Sequence, residues 1–159
     1  MSPTWQWRPA TPADDAFLAA LFRSSRPELA LLPPGLAEHF LADQQRLQEA
    51  GYRAAWPTAQ SLIVEADGMP AGRMVIAEQA RELRVVDLAL APEWRGRGGA
   101  KAVLASIQHK AMAGRRDVVL SVANDNAAAF RLYLSLGFVE ESRDEVRAAL
   151  RWRGEAGAQ

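Results

Sequence analysis

The chain has 159 residues, 49% of them apolar and 24% charged, with 19 basic and 19 acidic side chains. That length suits one domain, 1–159, with a core of its own, and the balanced charge argues against a dedicated nucleic-acid binder. Cysteine is absent, which excludes disulfides, thiolate nucleophiles and Cys-ligated zinc, and His39 and His109 are too far apart to suggest a metal set, so no metal is expected.

The N-terminal stretch lacks the apolar core of a signal peptide, and no apolar run reaches the ~18 residues a bilayer requires. A cytoplasmic protein without membrane attachment is the expectation. Thr4–Arg8 alternates bulky and polar groups like a short strand. Thr11 then reads as a helix cap, Pro12 as the first helical residue, and the helix continues to about Arg23. Prolines 27, 33 and 34 make the stretch from Ser24 to Gly35 irregular. A second helix is predicted from Leu36 to Ala50, closed by Gly51, with Leu36, Phe40 and Leu47 near one face.

After Pro57 the texture changes. Ser61–Ala66 reads as a strand, Asp67-Gly68 as a turn, and Gly72–Glu78 as the returning strand. Glu82–Leu90 is a third strand, stopped by Pro92. A helix follows from about Gly98 to Ala113, burying Val103, Leu104, Ile107 and Ala111 and closed by Gly114. Asp117–Val122 carries little charge, as a strand inside a sheet does. The last helix, Asn126–Leu136, is capped by Asn126 and ends at Gly137. Glu145–Trp152 reads as one final strand, and the chain from Arg153 onward, with Gly154 and Gly157, as frayed. The order β, two helices, three antiparallel strands, helix, strand, helix, strand describes a mixed α/β sheet flanked by helices.

The sequence Arg95-Gly96-Arg97-Gly98-Gly99 concentrates glycine and positive charge between a strand and a helix. Such a turn presents several backbone N–H groups at the positive end of a helix, a setting for a phosphate or pyrophosphate. The two arginines can add charge-assisted bonds. Neither the P-loop pattern G-x-x-x-x-G-K-[ST] nor the dinucleotide pattern G-x-G-x-x-G fits. Taken alone, the loop reads first as a tight strand–helix turn with solvated arginines.

The stretch Arg95–Ala100 matches [RQ]-x-x-G-x-[GA], and Asn126–Tyr133 with Leu136-Gly137-Phe138 matches N-x-x-A-x-x-L-Y…L-G-F. Together, in order and spacing, they resemble the GNAT superfamily of acyl-CoA-dependent N-acetyltransferases. The resemblance runs from about Leu62 to Phe138. It implies a GNAT-like fold, a mostly antiparallel sheet with one parallel, splayed strand pair, and acetyl-CoA as cosubstrate. It implies that Leu88, Ala89 and Leu90 hold the pantetheine arm and acetyl group, that Arg95, Gly96, Arg97, Gly98, Gly99 and Ala100 cradle the pyrophosphate, and that Asn126 lies near the cofactor. Tyr133 becomes the general acid for the departing thiolate; read from its helix alone it is a core residue with its hydroxyl at the edge. Gly99 and Ala100 depart from the commonest family form, which has an aliphatic residue and a glycine there.

Without cysteine, direct attack by an amine in a ternary complex is the expected route. Glu78, Glu82 and Asp87 are candidate bases, each equally readable as a strand-surface charge. Arg84 sits near where some family members place a glutamate. Tyr52, Trp56 and Glu38 are candidates for the acceptor pocket. The acceptor is a small-molecule amine or a peptide amine. Dimers are frequent in the family, so a homodimer is expected. Two other readings stand beside this one: a non-catalytic acyl-CoA sensor of the same fold, and an RNA contact built on Arg95, Arg97, Arg115 and Arg116.

Overall fold

The structure is a computed structural model that describes residues 2–154. Its centre is a seven-stranded sheet in the order β1-β2-β3-β4-β5-β7-β6. The strands are β1 Trp5–Pro9, β2 Gln60–Ala66, β3 Met69–Glu78, β4 Glu82–Leu90, β5 Asp117–Ala123, β6 Val139–Arg143 and β7 Arg147–Trp152. Every neighbouring pair is antiparallel except β4 with β5. The helices are α1 Asp15–Ser24, α2 Pro34–Ala55, α3 Gly99–Ala113 and α4 Ala127–Ser135.

One sheet face packs against α3. Val103, Leu104, Ile107 and Ala111 are all buried there among Leu62, Val64, Met74, Leu83 and Leu120. Trp5 and Trp7 from β1 and Leu132 and Tyr133 from α4 complete that layer. The opposite face buries Ile63, Val75 and Ala77, the alternate residues of the same strands. Polar ties fasten α1 and α2 to it. Arg8 of β1 grips Asp14 at 2.8 and 2.9 Å, just ahead of α1, and Glu65 of β2 at 2.9 Å. Arg73 of β3 pairs with Glu49 of α2 at 2.5 Å.

Most predicted elements stand, with informative corrections. A 3-10 turn over Pro12–Asp14 precedes α1. Thr11 caps that turn, in a capping box in which the carboxylate of Asp14 accepts the Thr11 N–H at 2.8 Å. Helix α2 runs straight through Gly51, whose φ is not left-handed. It stops at Trp56, where the following Pro57 disfavours helical backbone. Leu36, Phe40 and Leu47 are 45%, 42% and 72% exposed, and Leu41 is the buried residue of α2. The left-handed residue after α3 is Arg115, φ 54°, and not Gly114.

The final segment is a hairpin. β6 escaped the sequence reading because all its residues are exposed on an edge strand and carry no alternating apolar face. Gly154 is not frayed: it is buried, and its N–H donates to Asp117 at 3.0 Å. Gly157 lies outside the described residues. Among the described residues, no helix is long and apolar enough to cross a membrane.

Candidate active site

The parallel pair is joined only from Glu82–Asp117 to Val85–Leu120. Beyond that point β4 follows β3 to Leu90, β5 follows β7 to Ala123, and the two strands part. The cause lies in β4. Val85 faces Ile76 and Asp87 faces Val75, so Val86 is an extra residue. A bulge of this kind bends a strand and increases its twist. It also exchanges the two faces. Leu88 and Leu90 now share the α3 layer with Leu83 and Val85, while Asp87 and Ala89 turn toward α1 and α2.

The Ala91 N–H donates to the Ala71 carbonyl at 2.8 Å. Alternation along an antiparallel ladder then turns the main-chain groups of Leu88 and Leu90 away from β3, into the gap. The backbone of Ala89 is spent on β3. The gap is a polar cleft of about 220 Å³, and Asp87, Leu88, Asn126, Tyr133 and Arg147 are among the residues lining it.

The glycine loop lies beyond the end of β4. Gly96 and Gly98 both take left-handed backbone, φ 73° and 82°, which glycine adopts without strain. The first helical bond of α3 runs from the Ala102 N–H to the Gly98 carbonyl, 3.0 Å. Among the described residues, no protein acceptor engages the N–H groups of Gly96, Arg97, Gly98, Gly99, Ala100 or Lys101. A helix start with that many open donors favours an anion. The arginine side chains behave differently from their backbones. Arg95 Nε donates to the Leu90 carbonyl at 3.0 Å, and Arg97 stacks 4.9 Å over Trp94.

Gly99 is explained by a residue from the start of the chain. A Cβ at Gly99 would stand 2.6–2.9 Å from the Trp5 ring, and Trp5 in turn meets Trp94 edge-on at 6.0 Å. The indole fills the space of the aliphatic side chain that Gly99 lacks.

Asn126 caps α4, its Oδ1 accepting the Ala129 N–H at 3.1 Å. Further along the same helix Tyr133 packs against Phe138, ring centroids 5.9 Å apart. Its hydroxyl makes no hydrogen bond to another described residue and its pKa is raised, first by burial and then by the charge of Asp87. The phenol therefore stays protonated at neutral pH.

The three candidate carboxylates separate cleanly. Glu78 pairs with Arg116 at 3.1 Å and Lys110 at 3.5 Å, and these bonds lower its pKa. Glu82 faces Asp117 at the joined end of the parallel pair and meets Arg84 and Arg151. Neither lines the cleft. Glu78 lies at the far end of β3, Glu82 precedes the bulge in β4, and their charges are already committed.

Asp87 is placed differently. It lines both the cleft and a second cavity of about 160 Å³ between the sheet, α1 and α2. Burial raises its pKa against the opposing pull of Arg73, the Leu88 N–H and the nearby Tyr52 hydroxyl. Tyr52 itself is pushed up to about 12, by burial and then by Asp87. Of the other predicted pocket residues, Trp56 lies under Arg84 at 5.6 Å and Glu38 is held at the surface by Arg23. Sequence reasoning passed over Trp5, Arg26 and Arg73, which belong to no motif.

A sheet parted beside a helix start with open amides is a frame suited to a phosphorylated ligand along a strand edge. The chain belongs to the Acetyltransferase (GNAT) family, whose model matches residues 26–138. No curated protein matches it. Solved structures share the fold at low identity. Spermidine N-acetyltransferase from Vibrio cholerae, in complex with CoA and spermine, is 17% identical with a TM-score of 0.70, covering 98% of each chain. PaiA N-acetyltransferase from Thermoplasma acidophilum, in complex with coenzyme A, is 18% identical at 0.68, covering 94% of this chain and 99% of that one. An acetyltransferase from Thermus thermophilus is 20% identical at 0.68, covering 96% of this chain and 99% of that one.

Proposed function

We propose that the whole chain works as one N-acetyltransferase domain, moving an acetyl group from acetyl-CoA to a primary amine in a ternary complex. The observation that carries this reading is the row of open N–H groups from Gly96 to Lys101 beside the parted β4–β5 pair. Those amides and the α3 dipole receive the diphosphate. The Leu88 carbonyl and the Leu90 N–H, turned into the gap, pair with the amides of the pantetheine arm as a further strand would. Arg97 is free to swing from Trp94 to a phosphate; Arg95 braces Leu90.

Acetyl-CoA supplies an acetyl group activated as a thioester. Asp87, reached from both cavities, receives the incoming ammonium and takes its proton; its raised pKa makes it a better base than an ordinary carboxylate. The amine nitrogen then bonds to the acetyl carbon, and the carbon–sulfur bond breaks with its electron pair leaving on sulfur. The phenol of Tyr133 gives its proton to that thiolate, and the extra proton shed by the new amide nitrogen returns to the phenolate. Tyr133, protonated and without a protein partner, donates its hydrogen bond to that sulfur. The residues also suit direct transfer because the chain has no cysteine to carry an acetyl group.

Thermal shift with CoA, acetyl-CoA and ATP tests the cofactor. At a hundredfold excess over Kd, ligand linkage contributes about 2.7 kcal/mol, roughly 5–10 °C for a chain of this size. Both CoA species should give it and ATP should give little. The same Tm with and without CoA would remove the reading. Thiol release over an amine panel then tests transfer.

A further inference from the structure

The second cavity carries information about the acceptor, and the following inference rests on the acetyltransferase reading. Three charged side chains line the cavity: Asp87 from β4, Arg73 from β3, and Arg26 from the turn after α1. Leu18 and Phe22 of α1 and Ala89 of β4 line it with apolar surface.

The charged groups around this space differ in their commitments. Arg73 is 7% exposed and spent, paired with Glu49 at 2.5 Å and donating to Ser61 Oγ at 2.9 Å. Asp87 has only the Tyr52 hydroxyl, the Leu88 N–H and the more distant Arg73 to balance it. Arg26 is partly buried over the Phe22 ring at 4.8 Å, with long contacts to Gln44 and Ser25 at 3.3 and 3.4 Å. Among the described residues, no carboxylate lies within ion-pair distance of it. A guanidinium held in a cavity without an anion suits a carboxylate ligand, which it can bind through two parallel bonds.

We propose that the acceptor is a small amino acid, its ammonium set on Asp87 at the junction of the two cavities and its carboxylate on Arg26. Leu18, Phe22 and Ala89 leave room for a modest apolar side chain. A volume of about 160 Å³ suits a ligand of that size and not a long chain. The same charges disfavour a polyamine: Arg26 stands where a second ammonium would have to sit, and like charges in a partly buried site repel.

The test compares acetyl transfer to the common amino acids, their carboxamides and spermidine, in the wild-type protein and in Arg26→Gln. The expected result is turnover of at least one small apolar amino acid, with kcat/KM at least tenfold above that of its carboxamide and of spermidine. Arg26→Gln should raise KM for the acid at least tenfold, leave the carboxamide within about twofold, and leave the CoA-dependent Tm shift intact. Carboxamide or spermidine used as well as the acid overturns the inference, as does an acid preference that survives Arg26→Gln. CoA binding without transfer to any amino acid also overturns it while leaving the cofactor reading standing. Loss of the CoA shift in the wild type removes both.

Discussion

Replacing Gly99 with isoleucine, the kind of residue more usual at this place in the family, tests how the cofactor loop is braced. A single Cβ there would lie 2.6 Å from the Trp5 ring, about 1 Å inside ordinary contact, and isoleucine adds three more carbons. Overpacking of this kind costs about 1–3 kcal/mol, and isoleucine recovers roughly 0.5 kcal/mol of helix propensity over glycine. The net expectation is a loss of about 0.5–2.5 kcal/mol, or ~1–10 °C in Tm. Trp5→Ala alone should cost about 2 kcal/mol, below the 3–5 of a fully buried tryptophan because Trp5 is only partly buried. In the double variant the isoleucine occupies the space the indole vacates. The double variant should therefore retain at least ~1 kcal/mol more stability, by urea unfolding, than the summed single losses allow. CoA affinity should fall in Gly99→Ile and recover in the double variant. Additivity within about 0.5 kcal/mol would show that Trp5 and Gly99 do not share this space, and the account of the loop would be wrong.

Three further outcomes are expected. Tyr133→Phe should lower kcat by about 10²- to 10⁴-fold with the Kd for acetyl-CoA nearly unchanged, read by thiol release and thermal shift; full activity would dismiss the hydroxyl. Asp87→Asn should abolish transfer yet leave Tm at pH 7 equal or higher. A carboxyl whose folded pKa is raised loses stability as pH climbs from its unfolded value through the folded one, and asparagine removes that loss; a clear fall in Tm would contradict it. Asp14 shows the opposite sign. Arg8 and the Thr11 N–H hold its pKa far below the usual range, so its contribution is present above the unfolded pKa and disappears as pH falls through the folded one. Asp14→Asn should therefore be less stable than wild type at pH 7, and the gap in Tm should narrow in strong acid.

Helix α3, helix α4 and strand β4 were legible because their signals are local. Pro92 ends a strand wherever it falls, Asn126 caps the helix that follows it, and four apolar residues at helical spacing mark one buried face. The ends of α2 and the hairpin β6–β7 were less legible for the same reason. Gly51 marks a helix end only if its backbone turns left-handed, which it does not. An edge strand such as Val139–Arg143 needs no apolar face, so it leaves no periodicity to read.

The glycine loop and the element order as far as α4 follow from the chain alone, because left-handed glycines, open helix-start amides and apolar spacing depend on neighbours along it. Which carboxylate reaches the cleft, and what stands over Gly99, came only with the packing of distant segments. An extra residue at Val86 reverses which face each later side chain of β4 presents, and that bulge exists only in the pairing with β3. Trp5 meets the loop because β1 and α3 close over one core, a contact between distant parts of the chain that no local pattern encodes.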